Sequence, residues 1–407
     1  KMKKYVLMSA VGMMMFAACS DDELVATDEQ DPPSLSEITL SLNSGGDGLN
    51  TRANRPVNSS EAANNVDKVQ IYIYSPSGTD VTAAALSAGT ANPLTWTAGP
   101  SNATTPGTGD HKASQTIKLN KLTTDGTYTV VVYGYNDIAD YTVTGGGSAA
   151  DTFTATLPGA TVSELFAGRA TFEVENGNLK AGTTSEVELK RQVAGLLGYF
   201  KNIPVKYPDP NASGAITTVK YIRVYASSAS SAFTFPSAMS VNATGNATKT
   251  KVLEYDLSIL SDYTAQVSAA GSDLTKKFVI TAGTGSVATV DNSLVSGKFL
   301  IPFSAVTSTP TFTIQLEANE ASGISPVLKS WKVVNSAVGS GDKSVYDVQR
   351  NYFYSIGTKN LSATTDGGTS DPGTTGDDDQ PIDLSQETVI TVTVNDAWDV
   401  IYNLELE

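Results

Sequence analysis

Punctuation constrains this chain more than any other feature. Short runs in which apolar and polar residues alternate recur along its length, at 68–74 (KVQIYIY), 115–119, 128–135 (YTVVVYGY), 152–157, 170–174, 186–189, 219–225, 253–257, 277–281, 298–302, 311–318 and 352–361. The stretches between them are filled with Gly, Pro, Asn, Asp, Ser and Thr. Alternation with period two puts apolar groups on one face of an extended chain, and those intervening residues are the ones that build turns. No long window carries a helical period, and the best helical candidates are short, at 80–88 and 191–199. The expectation is an all-β protein. Its 407 residues exceed one ordinary sandwich, so two β-sandwiches in tandem are expected, divided near residue 185 after the polar connector 175–184.

Residues 388–407 look like a strand with nothing at home to pair with. Ile390, Val392, Val394, Trp398, Val400, Tyr402, Leu404 and Leu406 occupy even positions, whereas the odd ones are nearly all polar (Thr391, Thr393, Asn395, Asp399, Asn403, Glu405), broken by Ile401. The strand follows a spacer, 362–383, rich in Gly, Ser, Thr and Asp and too poor in apolar residues to bury a core. Such a strand on such a leash is suited to donation to another molecule. Near the other end, Ile38-Thr39-Leu40-Ser41-Leu42 repeats the pattern of Ile390-Thr391-Val392-Thr393-Val394, so either could fill one groove. Ten residues beyond Leu42 comes Arg52, in a polar, Gly-bearing loop of cleavable composition. Proline after Arg55 obstructs a trypsin-like protease there, whereas Ala53 after Arg52 does not.

The segment Lys1-Met-Lys-Lys4, an apolar run to Ala18 and then Cys19 has the form of a lipoprotein export signal, with Cys19 as the lipidated residue. The apolar run is too short to span a bilayer. Cys19 is the sole cysteine, so no disulfide forms within the chain. Acidic residues follow it at Asp21, Asp22 and Glu23, resembling a surface-export signal of Bacteroidetes lipoproteins. A net charge of −15 argues against nucleic acid as a partner.

Catalysis finds little support. His111 is the single histidine, and it sits in a loop, so neither a Ser-His-Asp triad nor a zinc site has its partners. Asp377, Asp378 and Asp379 fit a solvated acidic spacer better than a cation site. No catalytic residue, metal or cofactor is expected. A second reading is a surface adhesin that binds glycans without polymerising, using Trp96, Tyr133 and Tyr135 as a sugar platform; those aromatics fit strand cores equally well.

Taken together, the signal ending at Cys19, the strand-loop-Arg52 prosegment, the strand at 352–361 before an acidic spacer, and the terminal segment resemble the fimbrillin family of Bacteroidales, the shaft subunits of type V pili. The resemblance implies two tandem transthyretin-like β-sandwich domains and export as an outer-membrane lipoprotein. It implies cleavage between Arg52 and Ala53 by an arginine-specific protease, with loss of the strand bearing Ile38, Leu40 and Leu42. It further implies polymerisation by strand exchange with copies of the chain, and contact with tip and anchor subunits. The layout would be a signal at 1–18, a prosegment at 19–52, domains at 53–184 and 185–361, the spacer at 362–383, and the donor segment at 384–407.

Overall fold

The computed structural model describes residues 36–43, 66, 68–95, 112–135, 141–149, 152–157, 162–181, 187, 189–228, 230–236, 249–260, 262–281, 288–290, 292–319, 325–358, 380–386 and 389–395. At 36–43, 112–116, 288–290 and 395 it describes the backbone alone.

The chain is almost entirely strand. In its first half run β1 (Ser36–Asn43), β2 (Lys68–Tyr74), β3 (Leu94–Thr95), β4 (Lys112–Leu119), β5 (Gly126–Tyr135), β6 (Thr142–Gly145), β7 (Phe153–Thr156), β8 (Leu165–Glu175) and β9 (Asn178–Leu179). The second half holds β10 (Lys190–Arg191), β11 (Ala194–Lys201), β12 (Lys206–Pro208), β13 (Ile216–Thr218), β14 (Tyr221–Ala226), β15 (Ala232–Phe235), β16 (Thr250–Asp256) and β17 (Ala288–Val290). It closes with β18 (Ser293–Leu300), β19 (Phe312–Glu317), β20 (Val327–Asn335), β21 (Phe353–Ile356), β22 (Ile382–Asp383) and β23 (Ile390–Asn395). The described α-helices are α1 (Thr82–Ala85) and α2 (Tyr263–Ala270).

A six-stranded sheet in the order β10-β8-β5-β2-β3, with β9 on β8, organises the first half. Its central strands are buried on both faces, and period two divides their side chains between two cores. Val69, Ile71 and Ile73 of β2, with Tyr128, Val130 and Val132 of β5, join Ile117 and Leu119 of β4 in one core. Tyr74 of β2, with Val131, Tyr133 and Tyr135 of β5, faces the other way. There they meet Phe153 and Ala155 of β7 and Phe233 and Phe235 of β15.

The second half folds a ten-stranded sheet, order β16-β14-β19-β20-β23-β21-β11-β18-β17 with β22 on β11, around a large core. Its opposite flanks meet across that core, where the Tyr255 hydroxyl of β16 donates to the Gly198 carbonyl of β11 at 2.6 Å. A Cβ on Gly198 would lie 2.5 Å from that hydroxyl oxygen, so glycine is what permits the approach.

The two halves share structure. Strand β15 extends the β6–β7 sheet, pairing Phe233 with Ala155 and Phe235 with Phe153. Nearby, Arg191 donates to Glu164 from Nε and Nη2, at 2.8 and 2.7 Å, with both side chains buried. Asn351 accepts from the same guanidinium at 3.4 Å, and Arg350 donates to Gln192 Oε1 at 3.2 Å.

Three expectations differ. The run 191–199 is strand rather than helix, because β11 lies between β18 and β21 and nearly every residue in it is buried, which removes the alternation that marks a half-exposed strand. Residues 277–281 form no strand beyond a single bridge, Pro204 to Lys277. Backbone pairing ends at Phe278 N, which donates to Ile203 O at 2.8 Å, and side chains take over beyond it: Gln266 Oε1 accepts from Val279 N at 2.7 Å and Asn292 Oδ1 from Ile280 N at 3.0 Å. Helix α2 arises from a segment without apolar periodicity.

Candidate functional site

Two strand pairings, of β1 and of β23, involve the residues that the sequence singled out. Strand β1 pairs with β4 antiparallel over eight residues, Ile38 opposite Ile117, Leu40 opposite Gln115 and Leu42 opposite Ala113. Among the described residues that sheet contains β1 and β4 alone. The far edge of β4 is touched near one end, where Leu86 bridges Leu119 and Ser87 N donates to Lys118 O at 2.9 Å. Ile117 and Leu119 anchor β4 in the core of the first half, being 3% and 0% exposed. Withdrawal of β1 would therefore leave a fixed strand with an unpaired edge, and an unpaired backbone edge recruits another strand.

The terminal strand has partners at home, contrary to the expectation from sequence. β23 lies between β20, to which it is parallel, and β21, to which it is antiparallel. Val333 stands opposite Ile390 and Asn335 opposite Val392 on one side; Tyr354 stands opposite Val394 and Ile356 opposite Val392 on the other. Ile390 and Val392 are buried, Thr391 and Thr393 exposed and Val394 half-buried. Ile390 and Val392 thus fill the core of the chain's own second half, with Val394 packed against it.

A second docking patch precedes the strand, and it shortens the expected spacer. Gln380 N donates to Thr358 O at 2.7 Å, and Thr358 N returns a bond to Gln380 O at 2.9 Å. Gly357, at φ 80°, makes room, since a Cβ there would lie 2.6 Å from Tyr199 O and 3.1 Å from Gln380 O. Strand β22 runs parallel to the end of β11, and Leu384, 1% exposed, donates from its amide to Lys201 O at 3.1 Å. Asn202 Nδ2 donates to Asp383 Oδ2 at 2.6 Å, while Ser385 donates from N and Oγ to Asp383 Oδ1 at 2.9 and 2.7 Å. Partial burial pushes the Asp383 carboxyl up, but the bonds from Ser385 and Asn202 outweigh it and hold the group below the usual carboxylate range. The signal for this patch was the spacing of Ile382 and Leu384, which share the even parity of the strand beyond.

The sugar-platform reading loses two of its residues. Tyr133 and Tyr135 are each 6% exposed, and Tyr133 packs edge-on against Phe235 at 5.3 Å between centroids. Burial raises the Tyr133 phenol far above its ordinary value. Cys19, Arg52, Ala53, Trp96, His111, Asp377, Asp378, Asp379, Trp398, Val400, Tyr402, Leu404 and Leu406 lie outside the described residues.

Fold and site together define an all-β protein of packed sheets in which strands from both ends of the chain complete sheets built by the rest. No protein-family model matches the sequence, and no curated protein does. Among solved structures, the chain is similar to a fimbrial assembly protein from Parabacteroides distasonis, with 10% identity, 80% of this chain and 91% of that one covered, and a TM-score of 0.27. A score this low carries no argument by itself.

Proposed function

We propose that this chain is a structural subunit of a cell-surface fimbria, a shaft component assembled by strand exchange and contributing to surface adhesion. In this reading the chain is organised as two sandwich domains and exported as a lipoprotein through Cys19. An arginine-specific protease cuts between Arg52 and Ala53 and so frees β1 from the body. The vacated edge of β4 then accepts the donor segment of another copy, with Ile390, Val392 and Val394 replacing Ile38, Leu40 and Leu42. Trp398, Val400, Tyr402, Leu404 and Leu406 extend the joint past the prosegment's footprint, and tip and anchor subunits bound the polymer. The observation that supports this reading best is the β1–β4 sheet, which among the described residues holds those two strands alone and in which β1 is the sheet partner of a strand anchored in the core.

Energetics narrows where the driving force lies. Each apolar side chain of this size is worth ~1.5–3 kcal/mol on burial. Ile390 and Val392 are already buried in their own chain, so moving them to a neighbour gains little from them. Departure of β23 also unpairs β20 and β21, so closing the open edge of β4 does not offset it alone and the net gain must come from the residues beyond Asn395.

The reading is tested by following the β4 amides by hydrogen exchange. Cleavage should yield a chain beginning at Ala53, and protection at 112–119 should fall once the prosegment is removed. A synthetic peptide of 388–407 should restore that protection. Surface fibres whose subunits still begin at Cys19, or a peptide that leaves 112–119 unprotected, would sink the reading.

A further inference from the structure

We propose that residues 79–95 are an edge guard: they cover the open side of β2 and so prevent it from pairing with β2 of a second copy of this chain. The proposal does not depend on the fimbrial reading.

Strand β2 is a segment that calls for a guard. Its sequence, KVQIYIY, is dominated by β-branched and aromatic residues, carries a single charge and holds neither Pro nor Gly. An exposed edge of that composition pairs readily with copies of itself. β5 covers one side of the strand from Lys68 to Tyr74. On the other side, among the described residues, β3 reaches only Lys68 and Val69. Beyond Val69 the outward backbone groups belong to Ile71 and Ile73. Two copies of β2 laid antiparallel about Ile71 would set position 69 against 73 and pair each of those groups.

Side chains of the guard occupy that row instead. Asn92 Oδ1 accepts from Ile71 N at 3.0 Å, and Asn92 Nδ2 donates to Ile71 O at 2.8 Å. These are the two bonds that a facing strand residue would exchange with Ile71. At Ile73, Thr82 Oγ1 accepts from the amide at 2.8 Å, and the carbonyl accepts from Val81 N at 2.8 Å. Asp80 fixes Thr82 in that role, because Thr82 Oγ1 donates its own hydrogen to Asp80 Oδ1 at 2.5 Å and keeps its lone pairs for Ile73.

The guard covers the edge without becoming a strand of the sheet. Its bonds to Ile71 are made by a side chain, so its backbone stands off there. An open cavity of about 750 Å³ is bounded by Tyr72 of β2 and by Asp80, Ser87, Thr90 and Asn92 of the guard. Its seat on the body lies elsewhere. Leu86 bridges Leu119, Ser87 N donates to Lys118 O at 2.9 Å, and Asn120 N donates to Ala85 O at 2.8 Å. Asn120 Nδ2 adds bonds to the carbonyls of Ala84 and Leu86, at 2.8 and 2.9 Å. None of these anchors involves β1. The guard therefore stays seated whether or not β1 is present, and a few side-chain bonds decide whether β2 is closed.

The test removes those bonds one at a time in the full, uncleaved chain. In dilute Asn92→Ala, hydrogen exchange at the Ile71 amide should quicken about tenfold, the factor expected for loss of one hydrogen bond, while Ile73 keeps its wild-type rate. Thr82→Val should do the reverse. As concentration rises, sedimentation should show each variant associating, with exchange across 68–74 slowing again in the associated fraction. The wild-type chain should show neither change. Wild-type exchange at Ile71 in Asn92→Ala overturns the proposal, because the edge would then be held by other groups. Faster exchange without association at any concentration also overturns it, as does association that leaves 68–74 unprotected. If Asn92→Ala loses its cooperative melt, Thr82→Val decides the matter by the same measurements at Ile73.

Discussion

Val392 stands directly opposite Ile356 in an antiparallel ladder, and both side chains are buried in the core of the second half. Val392→Asp would place a charge without a partner among them, whereas Thr393→Asp changes an exposed neighbour. An unpaired buried charge is among the few single changes that cost more than about 4 kcal/mol, while exposed substitutions usually stay within about 0.5 kcal/mol. Urea denaturation should show a large loss for the first and almost none for the second. Equal losses would mean that the strand is buried on both faces.

Truncation after residue 387 should destabilise the second half. A strand with nothing at home to pair with could be removed without loss, but β23 lies between β20 and β21 and contributes Ile390 and Val392 to the core. Calorimetry should show a lowered or split melt, restored in part by the synthetic peptide 388–407. An unchanged melt would show that β20 and β21 hold the core without it.

Breaking the buried pair between Glu164 and Arg191 should cost about 3–5 kcal/mol when one partner is removed, as in Glu164→Ala. The joint replacement Glu164→Leu with Arg191→Met should recover most of that loss, since no charge is then stranded. Chemical denaturation of the two variants checks both statements. If the double variant is no more stable than the single one, Asn351 and the surrounding bonds depend on the guanidinium itself.

Acid should loosen the patch at 380–386. The Asp383 carboxyl is held below its unfolded value, so its contribution is present above the ordinary carboxylate pKa of about 3.9 and is lost as pH falls through the depressed native value. Hydrogen exchange at Leu384 and Ser385 should therefore quicken relative to the core as pH drops from about 5 towards 2. In Asp383→Asn the patch should be looser at neutral pH and nearly flat over that range. A wild-type patch that loosens only together with global unfolding would remove Asp383 from this role.

The sequence by itself determined the strand character of the chain and much of its local register. The alternation in KVQIYIY marks β2 at its observed bounds, and the parity of Ile390, Thr391, Val392 and Thr393 matches their burial. These are local properties, written in neighbouring residues because one face of a strand meets the core and the other meets water. Tertiary structure decided the rest. Arg191 to Tyr199 read as a short helical candidate because β11 is buried along nearly its whole length and so lacks the alternation of a half-exposed strand, and that burial is conferred by residues far away in sequence. Pairing partners are equally non-local. Nothing in the letters of Ile390–Asn395 says that they enter a slot of their own chain, because a strand supplies the same ladder and the same apolar face to any edge that is open. Which edge is open depends on the fold and on the connection between strand and body, and only the assembled sheets settle it for this chain.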